Sequence, residues 1–237
     1  MIEKVLIAAP TASAKNYCFE KWIENVLDFT YPDFDVVLFD NSIEGRANAD
    51  HMNDLFISRY GLSDKFKAFY SERSRGKESV IERMAISHND CRDYFLKGKY
   101  GYMLHLESDV MPEKNVIEEL LIHRKPVISA LYYRDEGQYR KLCITHRKPM
   151  PHNMTPGEDV VFVDGTIKKV ASAGLGCTLI HQSVLEKISF RFDPNISVHP
   201  DSFFYDDCFK HGIEVWADTS QIAQHDNQPW GRPGIDF

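Results

Sequence analysis

No CxxC spacing occurs in this chain of 237 residues, and its five cysteines (Cys18, Cys91, Cys143, Cys177 and Cys208) are scattered and odd in number. Such a set implies neither a disulfide framework nor a thiolate zinc site; it reads as reduced, mostly buried thiols. No stretch approaches the roughly 18 consecutive apolar residues of a membrane span. The opening MIEKVLIAAPTA has too short an apolar segment for a signal peptide, so a soluble, cytoplasmic protein is expected. Low-complexity tracts, internal repeats and runs of like charge are also missing, which excludes wholesale disorder. Positive charge is in deficit, 28 Lys and Arg against 35 Asp and Glu for a net charge of -7. That argues against a surface built throughout to hold nucleic acid or anionic membrane, although a local basic cleft stays open.

What is present is an ordinary globular composition, 43% hydrophobic and 27% charged. The chain is long enough for one continuous α/β domain, with a nucleotide-binding half over 1–131 and an elaborated half over 132–237. Apolar runs at Val5 to Ala9 and Val36 to Phe39 each end in polar turns, as buried strands do. Between them Phe19, Trp22, Ile23, Val26 and Leu27 share one helical face. The pattern repeats with a helix over Met52 to Tyr60, a strand over Phe66 to Tyr70, and a helix from about Glu78 presenting Val80, Ile81, Met84, Ala85, His88 and Cys91. A strand follows, then a helix that Pro112 starts and Leu121 ends, and a strand over Val127 to Tyr132. Strands alternating with helices imply a mainly parallel sheet covered on both faces, with ligands beyond the carboxyl ends of the strands. After Tyr133 come polar loops and short β-like pieces near Leu142 to Thr145, Val160 to Val163 and Ile167 to Ala171.

At one strand end stand Glu107, Ser108 and Asp109. Two acids there suit Mg²⁺ or Mn²⁺, hard ions that take oxygen ligands and share them with phosphates; the alternative is an Asp capping the next helix beside an exposed Glu. Gly174 and Gly176 lie between two apolar runs, where absent side chains let backbone approach a ligand. Asp206 and Asp207 sit on a short helical segment ended by Gly212, and His225 follows a β-like run. Taken alone, adjacent acids read as a solvated face and a single His as a structural group.

In this order the segments resemble the GT-A superfamily of nucleotide-sugar glycosyltransferases, especially small family-2-like enzymes. The matching stretches are VLIAAPTA, VVLFDNS, ESD for the family's DxD, AGLGC, YDD and the late His225. The resemblance implies a GT-A (Rossmann-like) sheet and transfer of a hexose from a nucleotide-diphosphate sugar, UDP-sugar favoured, to a hydroxyl acceptor with inversion. It implies that Pro10, Thr11, Ala12 and Asp40 line the nucleoside pocket and that Arg83 meets the donor. The ESD triplet, Glu107 and Ser108 included, lies at the ribose and metal, and the Gly174 and Gly176 turn borders the donor. Asp109, His225 and Glu107 hold Mn²⁺ or Mg²⁺. Asp207 is the catalytic base and Asp206 its neighbour, although Gly212 follows Asp207 more closely than the family's spacing has it.

The acceptor is open between a saccharide, a protein side chain and a hydroxymethylated base in DNA, the last used by small virus-encoded glycosyltransferases. The basic, aromatic stretch YYRDEGQYRKLCITHRK suits a polyanion or a solvated hairpin. Arg73, Arg75 and Lys77 precede a helix N-terminus that suits an anion, or form a solvated loop. A tail with Trp230 and Arg232 after His225 is expected to order over the donor as a lid. The competing reading is a nucleotide- or carbohydrate-binding protein of the same fold without turnover. A sugar-nucleotide pyrophosphorylase is disfavoured, because APTASAKN lacks the Gly- and Arg-rich turn that holds a triphosphate.

Overall fold

Every residue of the first strand, β1 (Val5–Thr11), is buried. Burial on both faces is what a central strand of a covered parallel sheet requires. The computed structural model describes residues 3–62, 64–74, 78–135, 140–145, 163–196 and 198–226. In chain order β1 is followed by α1 (Phe19–Leu27), β2 (Phe34–Asp40), α2 (Ala47–Ser58), β3 (Phe66–Tyr70), α3 (Val80–Lys97), β4 (Tyr102–Leu106), β5 (Val110–Met111), α4 (Val116–Leu121) and β6 (Val127–Asp135). Then come β7 (Arg140–Leu142), β8 (Ile144–Thr145), β9 (Ile167–Val170), β10 (Ser172–Ala173), β11 (Cys177–His181), α5 (Gln182–Leu185), α6 (Pro200–Lys210) and β12 (Val215–His225).

One mixed sheet runs in the order β3-β2-β1-β4-β11-β6-β12-β5, with β9 added to β12 and β7 to β6. The first four strands are parallel, as the repeated strand-helix pattern anticipates. β11 then runs antiparallel between β4 and β6, and β12 returns parallel to β6. Alternation along β1 divides the core. Val5, Ile7 and Ala9 face a layer with Trp22 and Ile23 of α1, Met52 and Phe56 of α2 and Ile117 of α4. Leu6 and Ala8 face the opposite layer with Cys91 and Phe95 of α3, Val184 of α5 and Phe204 of α6.

Several elements depart from the sequence reading. Pro10 lies inside β1, opposite Phe39 of β2, where its missing N–H costs nothing because pairing with β4 stops at Ala8. Pro112 does not start a helix: Val110 and Met111 pair with β12 as a strand, and α4 begins only at Val116. Val80 is exposed at the first turn of α3, whose start is set by Ser79 accepting from the Glu82 N–H. The segment Val160 to Val163 falls mostly outside the described residues.

Candidate active site

The acidic triplet occupies the turn between β4 and β5. Glu107 N–H donates to the Gly176 carbonyl at 2.9 Å, and Val110 N–H closes the turn on the Glu107 carbonyl at 3.0 Å. Ser108 is fully buried, its hydroxyl 3.1 Å from that of Thr11 at the end of β1, so the triplet is tied to the neighbouring strand. Both carboxylates converge on one ammonium. Lys15 Nζ lies 3.0 Å from Asp109 Oδ1 and 3.2 Å from Glu107 Oε2. Asp109 is 2% exposed. Burial alone would raise its pKa, but Lys15 and then His225 outweigh burial and hold it well below the usual range. The same two acids overcome burial at Lys15 and raise its pKa.

β12 delivers His225. Across a register shift between Asp218 and Ile222 the strand keeps its pairing with β6, while its other edge passes from β9 to β5, with His225 opposite Val110. Asp226 N–H then donates to the Asp109 carbonyl at 2.8 Å. His225 Nδ1 is 3.0 Å from the Tyr133 carbonyl, which can only accept, so the proton sits on Nδ1. Nε2 is aimed at Asp109 Oδ2 from 3.6 Å. Burial lowers the imidazole pKa, but Asp109, Glu107 and the Tyr133 carbonyl raise it more. Two carboxylates and an imidazole oriented by a carbonyl form a donor set that suits a divalent ion. Among the described residues no three such side chains are grouped so as to hold a metal ion. The donor set suits a divalent ion by its chemistry, and the ammonium of Lys15 lies between its two carboxylates.

Asp40 ends β2, beside Thr11 in register, and is fully buried. Its Oδ1 accepts from Ser42 N–H at 3.2 Å, Ser42 Oγ at 2.5 Å and Asn48 Nδ2 at 3.0 Å. Its Oδ2 has no partner among the described residues, and burial raises its pKa against those three hydrogen bonds. Pro10 and Thr11 flank it on β1, and Ala12 leads into the short 3-10 turn Ser13–Lys15. Arg83 lies on α3 one turn before Ser87, whose hydroxyl receives Asn41 Nδ2 at 2.9 Å. Its Nη1 donates to the Glu78 carbonyl at 2.9 Å, while its Nε is buried without a partner among the described residues.

Gly174 and Gly176 meet a side chain. A Cβ on Gly174 would lie 2.3 Å from Tyr132 Oη, and one on Gly176 2.9 Å from it. The Gly176 N–H donates to that hydroxyl at 3.1 Å, and the Tyr132 ring packs edge-on against His225 with centroids 5.0 Å apart. The glycines therefore make room for the residue that braces the histidine.

Asp207 and Asp206 are drawn into a separate cluster. Arg191 clamps Asp207 with Nε at 2.7 Å and Nη2 at 2.9 Å, and Nη2 reaches Asp206 at 3.1 Å. Lys210 Nζ adds contacts at 2.5 Å to Asp206 and 3.5 Å to Asp207. Burial raises the Asp207 pKa, but Arg191 and Lys210 bring it below the ordinary value. Asp201, in the first turn of α6, behaves in the opposite way. Its Oδ1 is buried without a partner among the described residues. Burial, then the charge of Glu107, raises its pKa to about 6. Six residues apart on a helix, Asp201 and Asp207 are separated by about 9 Å along the axis and point to different faces.

Sequence reasoning missed Lys15, Tyr132 and Asp201. Only Asp201 carried a signal, an acid directly after the proline that opens α6. Arg73 is engaged by Asp90 and Asp93, while Arg75 and Lys77 lie outside the described residues. So do Trp230 and Arg232 of the expected lid, and much of the basic aromatic stretch.

No family model and no curated protein sequence matches the chain. Among solved structures it is similar to GalNAc-T7 with UDP, GalNAc and Mn²⁺, at 13% identity and a TM-score of 0.65, covering 99% of this chain and 46% of that one. It is similar to S. aureus TarS 1-349 in complex with UDP-GlcNAc, at 12% identity and a TM-score of 0.57, covering 95% and 59%. It is also similar to A197 from STIV, at 16% identity and a TM-score of 0.50, covering 95% and 86%. The chain thus spans about half the length of the two glycosyltransferases. No described helix is long and apolar enough to cross a membrane. Likeness at such identities is likeness of fold, and the fold of this chain is that of the GT-A glycosyltransferases.

Proposed function

We propose that the chain is a glycosyltransferase that moves a sugar from a nucleoside-diphosphate donor, UDP-sugar favoured, to a hydroxyl acceptor with inversion. The observation that carries this reading is Asp201: a carboxylate with a buried, unpartnered Oδ1 among the described residues and a raised pKa, within electrostatic reach of the cation-binding Glu107. An acid-base group beside a phosphate-binding centre is what such a transfer needs. The role expected of Asp207 moves to Asp201, because Asp207 has both oxygens held by Arg191 and a lowered pKa.

The acceptor oxygen attacks the anomeric carbon, its proton passes to Asp201, and the bond from that carbon to the diphosphate oxygen breaks with its electron pair leaving on the phosphate. Asp40 Oδ2 accepts from the nucleoside, and Arg83, on α3 one turn before Ser87, meets the donor. Asp109, His225 and Glu107 are the residues that would hold Mn²⁺ or Mg²⁺, which when bound supplies Lewis-acid stabilisation of charge on the departing diphosphate. Tyr132 keeps the His225 ring in place.

Release of UDP from UDP-sugars, measured with and without saccharide or hydroxymethylated DNA acceptors, tests the reading. Turnover that Asp201→Asn lowers by about 10² to 10⁴ is expected. Donor binding without turnover in the wild-type chain, across donors and acceptors, would leave a binding protein of the same fold.

A further inference from the structure

We propose that Lys15 is a built-in counter-cation that keeps Glu107 and Asp109 closed to divalent ions until the diphosphate of the donor draws its ammonium away. The inference rests on reading Glu107, Asp109 and His225 as the site of such an ion.

Lys15 is placed by the local chain rather than by chance of a long side chain. Its N–H closes the 3-10 turn on the Ala12 carbonyl at 2.8 Å, and Ser13 N–H fixes the same turn to Ser42 Oγ at 2.7 Å. The neighbouring Cys18 thiol reaches both the Lys15 carbonyl, at 3.2 Å, and the Ser108 carbonyl, at 3.2 Å. The turn is therefore anchored to the acidic triplet it neutralises. Its ammonium touches one oxygen from each acid, with the lysine side chain 22% exposed and Asp109 only 2%.

A divalent ion sits about 2.0 to 2.6 Å from carboxylate oxygens. It cannot take that position while an ammonium lies 3.0 Å and 3.2 Å from the same two oxygens. Charge points the same way. Two carboxylates and one ammonium leave a single negative charge; adding a divalent ion beside the ammonium reverses it. A diphosphate, carrying two negative charges, restores it and offers the ammonium a new partner within reach of a flexible four-carbon stem. Ion and donor therefore enter together, and by linkage each raises the affinity of the other. Without donor, the acids are satisfied internally.

Titration of wild type, Lys15→Met and Lys15→Arg with Mn²⁺ followed by paramagnetic resonance, and with UDP in EDTA followed by calorimetry, tests this. Without nucleotide, Lys15→Met should bind Mn²⁺ at least tenfold more tightly than wild type, and Lys15→Arg should stay close to wild type. In EDTA, Lys15→Met should bind UDP at least tenfold more weakly. A damaged fold would weaken both ligands, so the opposite signs identify the mechanism. Equal Mn²⁺ affinity in wild type and Lys15→Met overturns the role of Lys15; if wild type still takes up Mn²⁺ with UDP and Asp109→Asn does not, the ion-site reading stands. Failure of every variant to bind Mn²⁺, with or without UDP, overturns both. Tight Mn²⁺ binding by Lys15→Met that survives an added Asp109→Asn also overturns both, because the ion is then elsewhere.

Discussion

Replacing Gly174 by alanine is the most direct probe of how the site is braced. The backbone itself offers no objection, since Gly174 is not among the positive-φ glycines of the described residues. A glycine-to-alanine change at a compatible position normally stabilises by about 0.4–1 kcal/mol through the unfolded chain. Here the added Cβ would stand 2.3 Å from Tyr132 Oη, 2.4 Å from Cζ and 2.7 Å from Cε1. The ring cannot yield freely, because Tyr132 is 6% exposed, accepts from Gly176 N–H and packs on His225. Overpacking of this kind costs about 1–3 kcal/mol, and losing the hydrogen bond adds about 0.5–1.5 kcal/mol. Set against the entropic gain, the net loss is about 2 kcal/mol, read as a fall in urea midpoint at unchanged slope. Repeating the change in a Tyr132→Ala background should remove the loss, since the obstacle is gone. A Gly174→Ala chain as stable as wild type, or equally destabilised without the tyrosine, would refute the reasoning.

Asp201→Asn should lower transfer by about 10² to 10⁴ with donor affinity retained, measured by single-turnover kinetics. Wild-type kcat/KM should fall as pH drops through about 6, where Asp201 gains its proton, and the asparagine variant should lose that limb. The same raised pKa means the folded chain binds more protons than the unfolded one between about 3.9 and the folded value, so Asp201 makes stability decline as pH rises through that window. Asp207→Asn should leave transfer within roughly threefold and cost about 1 kcal/mol of stability, because Arg191 is partly solvated and the pair is screened. Asp40→Asn should keep the three hydrogen bonds at Oδ1 but put a donor where Oδ2 accepts, weakening UDP binding by about tenfold to a hundredfold in calorimetry.

The parallel half of the fold was legible because its signals are local. The continuous apolar run of β1 and the 3.6-residue face of α1 are written in neighbouring residues, and β3 is found over the stretch expected of it. The start of α4 was misplaced because pairing between β5 and β12 joins residues more than a hundred positions apart, and no local pattern announces it. The strand-end placement of Asp40, Glu107 and Asp109 follows from the same local periodicity. Lys15 escaped notice since an isolated lysine after a strand looks like any solvated charge until the acids it meets are known. Asp201, which the proposed reading uses, was passed over for the more conspicuous adjacent pair Asp206 and Asp207, which share Arg191.

The bulge between Asp218 and Ile222 has a consequence for the order of assembly. Past it the last described strand stays on β6 and gains β5 on its other edge, so His225 joins Asp109 across more than a hundred positions of sequence, and Tyr17 Oη donates to the adjacent Asp226 carbonyl. Contacts of such sequence separation form late, because loop-closure entropy must be met before they contribute. During synthesis the β1 to β4 layer has all its parallel partners while residues beyond 215 are still unmade, so a nascent chain can fold its parallel half with the acids already paired to Lys15. The His225 imidazole reaches Asp109 only on completion of β12, which makes that contact a readout of a fully folded chain.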